Sequence, residues 1–253
     1  MLRSVRPTPN VLRVTFGGDA LADFPANRET ANVKLLLRRD GQDEGAYLAA
    51  LEGEGERPIK RTYTVLAHRA PDGTRGAELD VDFALHDAPG PATRWALAAA
   101  PGDRIGLAGP GAPKRVDPHA DWFLLAGDAS ALPAIAANLA ALDRKATGHA
   151  LVEVVDPADR RELGAPAGVA VRWIVPDPQA PMRALVAAVK AIEWPPGTPF
   201  AWVAGETGAV RELRAWLARE RALDGAHRYT GGYWQVGHDE DSHQLIKRAE
   251  PMD

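Results

Sequence analysis

The chain of 253 residues contains no cysteine. This absence excludes disulfides, thiolate chemistry and a cysteine-ligated iron–sulfur cluster in this chain. No apolar run reaches about 18 residues, the length that a transmembrane helix needs. The N-terminus also lacks the positively charged region followed by an apolar one that marks a secretory signal. We therefore expect a cytoplasmic protein with no membrane insertion.

A strong charge of one sign is also missing. Lys and Arg number 30 against 34 Asp and Glu, a formal net charge of −4, so bulk charge gives no indication of nucleic-acid binding. An apolar content of 45% and a charged content of 25% are ordinary for a globular protein. No His, Asp and Glu cluster shows metal-ligand spacing, and no acid–base triad is evident. We expect no metal site.

The first half of the chain is typical of short strands separated by Gly, Pro and Asp clusters. Leu79-Asp80-Val81-Asp82-Phe83 has the period-two alternation of a half-buried strand. Strands are predicted at 11–16, 32–38, 61–66, 78–85 and 104–107, and a helix at 91–100. Several short strands within about 100 residues predict a small antiparallel β-barrel. The acid-rich stretch 41–57 is predicted to be an exposed loop.

The second half changes to strands that alternate with helices. Strands are predicted at 121–126, 150–155, 169–175 and 200–203, and helices at 131–142, 182–192 and 210–220. This alternation predicts an α/β domain with a parallel sheet covered on both faces. We predict domains at 1–117 and 118–237 and a polar tail at 238–253, which is frayed or forms a short helix at 242–248.

One predicted strand carries residues suited to a flavin. Tyr63 offers a flat ring and a hydroxyl, and Arg61 offers a permanent, forked charge to a pyrophosphate. The hydroxyl of Thr64 can reach the ring edge. The segment that begins at Gly90-Pro91 then supplies a turn and a helix start, whose free N–H groups suit a phosphate. Taken alone, the Arg-x-Tyr-Thr pattern is found more often in an ordinary barrel strand with an exposed arginine than in a flavin site.

Five motifs occur in one order along the chain. They are Arg61-x-Tyr63-Thr64; His86 with Gly90-Pro91-Ala92 and Trp95-Ala96; Gly127-Asp128 with Ala131-Leu132-Pro133-Ala134-Ile135; Ala204-Gly205-Glu206; and Gly232-Tyr233-Trp234. In this order they resemble the siderophore-interacting protein family. These proteins are FAD-dependent ferric-siderophore reductases related to the ferredoxin–NADP reductases. The likeness extends from Val11 to Gly237.

The resemblance implies a two-domain fold and an electron path. The antiparallel β-barrel would hold FAD, and the α/β domain would receive NADPH or NADH. Hydride would pass to the flavin, and single electrons would pass on to the Fe(III) of a ferric siderophore. Asp156 favours NADH, whereas Arg160 and Arg161 favour NADPH, and a ferredoxin donor also stays open. A monomer is expected.

The resemblance also implies which residues form the site. The cofactor-binding candidates are Arg61, Thr62, Tyr63, Thr64, His86, Gly90, Pro91, Ala92, Thr93, Gly127, Asp128, Ser130, Ala131, Glu206 and Trp234. The cations that would attract an anionic siderophore are Lys60, Lys114, Arg115, Lys247 and Arg248. No catalytic residue is implied, because the flavin supplies the redox chemistry.

Three departures from the family pattern keep other functions open. The family often has Arg at position 66, Glu at 129 and Arg at 235, where this chain has Leu66, Ala129 and Gln235. His68 and Arg69 are the candidates to replace the charge that is missing at position 66. The alternatives are a flavin reductase with another acceptor, such as a quinone or a partner protein, and a non-catalytic siderophore- or flavin-binding module. The turn at Gly127 can also be a helix start that binds no ligand. The C-terminal aromatics, Tyr233 and Trp234, can equally be buried in the core of the sheet.

Overall fold

The computed structural model of the chain describes residues 1–176, 183–238, 240 and 242. The chain divides into two compact units, Met1–Pro113 and Lys114–Asp253. Two predicted siderophore cations, Lys247 and Arg248, lie outside the described residues, as does most of the helix predicted at 242–248. The predicted domain boundary at 117/118 stays a prediction.

The first unit, whose residues 1–113 are all described, consists of two antiparallel sheets and two α-helices. Its elements are β1 Arg3–Thr8, β2 Val11–Gly17, β3 Asn32–Leu37, α1 Glu44–Leu51, β4 Ile59–Thr64, β5 Ala67–Arg69, β6 Glu78–Ala84, α2 Pro91–Ala98 and β7 Gly106–Ala108. The sheet orders are β1-β2-β6-β5 and β4-β3-β7. The predicted antiparallel, barrel-like architecture is confirmed, although the barrel is not closed within this unit.

Apolar side chains at every second position of β3 and β6 form the core of the first unit. Val33 and Leu35 of β3 are fully buried, and so are Leu79, Val81 and Phe83 of β6. These side chains belong to one hydrophobic cluster. Because successive side chains of a strand point to opposite faces, the intervening acids of β6 lie on the other face of their sheet.

The acids of β6 are buried and paired with arginines. Arg3 makes a two-pronged contact with Glu78, both N–O distances being 2.8 Å. Arg69 binds Glu78 at 2.9 Å and Asp80 at 2.7 Å. The bonds from Arg3 and Arg69 lower the pKa of Glu78 from 4.5 to about 2. Arg69 is therefore committed to this cluster and does not replace the charge missing at Leu66.

The prediction of a loop at 41–57 is wrong for its central part, which forms helix α1. Asp43 caps the first turn with its side chain. The Tyr47 hydroxyl donates to the Leu36 carbonyl at 2.5 Å and accepts from the Gly106 N–H at 2.8 Å. One buried tyrosine thus attaches the helix to two strands, and this long-range contact outweighs the acidic composition of the segment.

The second unit is a parallel sheet between helices. Its elements are β8 Trp122–Asp128, α3 Leu132–Ala141, β9 Thr147–Glu153, β10 Gly168–Ile174, α4 Arg183–Lys190, β11 Pro199–Glu206, α5 Thr207–Glu220 and β12 Arg228–Trp234. The five strands pair in parallel in the order β10-β9-β8-β11-β12. Leu125 packs with the α3 side and Leu124 with the α4 and α5 side. The predicted α/β sheet covered on both faces is confirmed.

The strand order places a switch point between β8 and β11. From β8 the chain builds β9 and β10 on one side, and it then returns to build β11 and β12 on the other. In open parallel sheets, ligands bind beyond the carboxyl ends of the strands at such a point. None of the helices among the described residues has the length and apolar character needed to cross a membrane.

Candidate functional site

Arg61 and Tyr63 lie on one face of β4, two residues apart. Their register partners on β3 are Leu35 and Val33, both fully buried. The Tyr63 ring packs against Phe83 with a centroid distance of 4.4 Å and an interplanar angle of 41°. Both Arg61 and Tyr63 remain half-buried. The core therefore supports one side of the tyrosine ring and leaves part of the side chain accessible.

The other face of β4 carries the two threonines. Lys34 of β3 donates to the Thr62 hydroxyl, and Thr64 is buried. Lys60 is exposed, and its carbonyl accepts from Arg61 Nη1 at 2.7 Å. One face of β4 thus carries the arginine and the tyrosine, and the other face carries the threonines. This division follows from the alternation of side chains along a strand.

The turn into α2 presents backbone N–H groups. His86 is exposed, Gly90 is the extended N-cap residue, and Pro91 occupies the first turn. The N-cap residue Gly90 has no side chain to cap this helix, so the N–H groups of its first turn lack a side-chain cap from it, and the residues Ala92 and Thr93 are themselves buried. A side chain at Gly90 would meet nothing within 4 Å. The chemistry of this helix start, with its open approach, fits a diphosphate.

Sequence reasoning missed a cavity beside the start of α2. The cavity has a volume of about 530 Å³, and its lining includes Arg38, Arg39, Arg94, Pro91 and Trp95. Strand β4 contributes no residue to it. Arg38 and Arg39 follow β3, which only the fold brings next to α2, so no local pattern in the sequence indicates the cavity.

Four predicted residues meet at the carboxyl ends of β8, β11 and β12. Asp128 Oδ1 accepts from the Ser130 N–H at 2.9 Å and from the Ser130 hydroxyl at 2.5 Å. Asp128 Oδ2 accepts from the Glu206 N–H and from Trp234 Nε1, each at 2.8 Å. Burial raises the pKa of Asp128, against the lowering effect of the hydrogen bonds from Ser130 and Trp234. We call these four residues the Asp128 cluster.

Two glycines make room for this arrangement. A Cβ on Gly127 would lie 2.5 Å from the Ala204 carbonyl oxygen and 2.6 Å from Ala131 Cβ. Gly205 has φ +137°, and a Cβ there would lie 2.7 Å from Asp128 Cγ and closer still to Oδ2. Gly127 and Ala131 thus serve the packing of strand against helix. Their predicted contact with a cofactor stays a prediction.

The last residue of β12, Trp234, is held at the same edge of the sheet. Glu206 caps α5 through Ala209 N–H at 2.9 Å. The Thr207 hydroxyl donates to the Trp234 carbonyl at 2.9 Å. Trp234 is nevertheless 39% exposed, whereas Tyr233 packs against the hydrophobic core. Of the two C-terminal aromatics, Trp234 is therefore the one that offers an open ring surface.

Lys114 and Arg115 lie where the second unit begins. The Lys114 carbonyl accepts from Trp202 Nε1 at 2.8 Å and from Asn138 Nδ2 at 3.1 Å. Asn138 Oδ1 accepts from the Val116 N–H at 3.0 Å. Sequence reasoning missed Asn138, a buried amide in an apolar helix that fixes this stretch of main chain. The role of the two cations toward a siderophore stays a prediction.

Comparison with known proteins accounts for nearly the whole chain. Residues 1–114 match the family described as the siderophore-interacting FAD-binding domain, and residues 120–237 match the family described as siderophore-interacting protein. The chain is 34% identical over 242 residues to ferric vibriobactin reductase ViuB of Vibrio cholerae, covering 92% of this chain and 87% of that protein.

Two further relatives support the same grouping. The chain is 30% identical to the NADPH-dependent ferric-chelate reductase of Escherichia coli, covering 93% of this chain and 91% of that protein. It superimposes on the crystal structure of the siderophore-interacting protein SipS from Aeromonas hydrophila with a TM-score of 0.86 and 32% identity. That match covers 98% of this chain and 94% of SipS.

Proposed function

The chain belongs to the siderophore-interacting protein family, and from this membership we propose that it is an FAD-dependent NAD(P)H:ferric-siderophore reductase. The observation that carries the proposal is the match of both units, the antiparallel one to a siderophore-interacting FAD-binding domain and the α/β one to siderophore-interacting proteins. The curated relatives at 34% and 30% identity are named as ferric reductases. We further propose that the protein works as a monomer in the cytoplasm.

FAD fits the residues of the first unit. Arg61 supplies a forked positive charge, and the free N–H groups at the start of α2 supply directional donors, both suited to a pyrophosphate. Tyr63 supplies a ring that is braced by Phe83 and suited to stacking. When bound, FAD accepts two electrons as a hydride and releases them one at a time, so one NAD(P)H serves two ferric ions.

The second unit supplies the binding edge for the nicotinamide dinucleotide. We place this edge at the carboxyl ends of β8 and β11, because the strand order changes there. Glu206 and the exposed Trp234 lie at this edge. We assign Trp234 the task of orienting the dinucleotide and of shielding its reactive ring from water, whereas the buried Glu206 accepts from Ala209 N–H and fixes the start of α5 at this edge.

The substrate is an Fe(III) complex of a siderophore. Lys60 is exposed on the flavin strand and would attract an anionic complex. Reduction to Fe(II) weakens binding by the hard oxygen ligands of a siderophore, so the iron is released without a ligand set from the protein. In the described part of the chain, no group of three or more His, Asp or Glu side chains is placed to hold a metal ion.

An anaerobic absorbance experiment tests the proposal. The purified protein is supplied with FAD, then NADH or NADPH, then a ferric siderophore, with a ferrous chelator present to report Fe(II). We expect the flavin bands to bleach with the nicotinamide and to recover with the siderophore. Bleaching without recovery would indicate another acceptor, such as a quinone or a partner protein. A protein that binds no flavin would be a binding module on a reductase fold.

A further inference from the structure

The carboxylate of Asp128 accepts four hydrogen bonds from other groups of the protein, and one of them comes from the exposed Trp234. We propose that Asp128 is a positioning residue, which holds the Trp234 indole as a fixed stacking surface for the nicotinamide ring of NAD(P)H. This inference rests on the proposed NAD(P)H-dependent function, and it assigns to Asp128 an indirect role in place of direct cofactor contact.

The carboxylate of Asp128 has no acceptor site left for a further donor. An ionised carboxylate has about four lone-pair sites, and Asp128 accepts from four donors, two on each oxygen. The residue is 6% exposed. A ligand therefore finds neither a vacant lone pair nor an open approach at Asp128. Whatever effect Asp128 has on a ligand must pass through one of its protein partners.

Trp234 is the partner of Asp128 that can reach a ligand. The Ser130 and Glu206 N–H groups donate to the buried carboxylate, whereas Trp234 as a whole residue is 39% exposed. The indole N–H is fixed by Asp128, and the Trp234 carbonyl is fixed by the Thr207 hydroxyl at 2.9 Å. A tryptophan that is fixed at its main chain and at its indole N–H has little rotamer freedom left to lose when a planar ligand stacks on its ring.

Burying the carboxylate of Asp128 costs free energy. Burial disfavours the charged form of Asp128 and raises its pKa. A packed apolar residue at this position would be cheaper for stability alone. The chain instead keeps a glycine at 205, whose missing Cβ leaves space for the carboxylate. A costly buried acid with room made for it, adjoining an exposed aromatic at a ligand-binding edge, indicates a positioning role.

The test compares substitutions at both ends of the bond. Trp234→Phe keeps a ring and removes the indole N–H, and Asp128→Ala removes the acceptor. In anaerobic stopped-flow experiments with FAD-loaded protein, we expect each variant to slow flavin reduction by NAD(P)H about three- to tenfold, the effect of freeing one immobilised side chain. The double variant should be no slower than the slower single variant, within about twofold, because both act through one bond.

A conservative variant and a matched control separate positioning from stability. In Asp128→Asn the amide oxygen can face the indole and the Glu206 N–H, and its NH₂ can donate to the Ser130 hydroxyl, while the Ser130 N–H loses its acceptor, a loss that bears on stability and leaves the indole bond in place. We expect this variant to keep the rate within about threefold. The control is Trp202→Phe, which removes another indole bond at 2.8 Å, accepted by the Lys114 carbonyl. It should lower the melting temperature and leave the NAD(P)H step unchanged.

The outcomes distinguish this inference from the proposed function. If NAD(P)H reduces the wild-type flavin and Trp234→Phe is reduced at the same rate, the inference is wrong and the function stands. Effects that multiply in the double variant, or a flavin spectrum altered without any change in the NAD(P)H step, would also overturn it. If Asp128→Ala does not fold, the rates of Trp234→Phe and Asp128→Asn still test whether Asp128 positions the indole. A flavin that NAD(P)H does not reduce would overturn the inference, and photoreduced flavin would then test siderophore reduction by itself.

Discussion

Substituting Gly205 by alanine would push a methyl group into the Asp128 cluster. The added Cβ would lie 2.7 Å from Asp128 Cγ, below the 3.0 Å that real Cβ contacts respect. Asp128 cannot withdraw freely, because its two oxygens accept four hydrogen bonds. The backbone of Gly205, at φ +137°, is also strained for any residue with a side chain.

These two effects set the expected magnitude. A residue held in a sparsely populated backbone region costs about 1–3 kcal/mol, and overpacking a well-filled site costs about 1–3 kcal/mol more. We therefore expect Gly205→Ala to lower the free energy of unfolding of the second unit by about 2–6 kcal/mol. Flavin reduction by NAD(P)H should slow as well, because a displaced carboxylate releases the Trp234 indole.

Urea unfolding followed by circular dichroism and tryptophan fluorescence measures the loss. Two controls isolate the steric part: Gly18→Ala, at φ +126°, and Gly164→Ala, at φ +65° in the same unit, would each place a Cβ with nothing within 4 Å. They should lose only the backbone part, about 1–3 kcal/mol. If Gly205→Ala is no less stable than Gly18→Ala, the close approach of Asp128 carries no energetic weight and the reasoning fails.

Three further predictions concern the first unit. Tyr47→Phe should cost about 1–3 kcal/mol in urea unfolding, because the half-buried Gly106 N–H loses its acceptor and the Leu36 carbonyl loses its donor; equal stability would mean that the tyrosine does not anchor α1. Glu78, whose pKa its arginine partners lower from 4.5 to about 2, contributes stability that is complete above pH 4.5 and lost as the pH falls toward 2. Glu78→Gln should therefore flatten the acid-unfolding curve, and an unchanged curve would contradict this account. Arg61→Ala should weaken FAD binding by about 1.5–3 kcal/mol in a fluorescence titration, with Arg61→Lys recovering only part; wild-type affinity would remove Arg61 from the site.

Local pattern was enough to predict most of the elements. The alternation along β6 and the continuous apolar run of β8 are set by the period of a strand and by burial on one face or both. The change from short strands to alternating strands and helices predicted both sheet types, and the glycines at 127 and 205 marked two of the turns at the binding edge. The ordered motifs predicted the family, which the comparisons confirm.

Contacts between distant residues were beyond the reach of local pattern. Helix α1 was missed because Tyr47 finds its partners in β3 and at Gly106, 59 residues further along the chain. Arg69 was offered as a phosphate ligand, but in the folded chain it binds the acids of β6. In each case a side chain of ordinary local character receives its role from a partner on another strand.

The sequence by itself determined the two fold classes, the order of most elements, though not β1, α1, β5 or β12, and the residue types available for a flavin and a dinucleotide. Only the tertiary structure decided which of those residues meet. Asp128 and Trp234 are 106 positions apart in the chain, yet their side chains are 2.8 Å apart. The periodicity of apolar residues along a segment indicates which of its side chains are buried. It does not indicate which strand ends will be neighbours, because parallel strands that pair in the sheet are distant in the sequence.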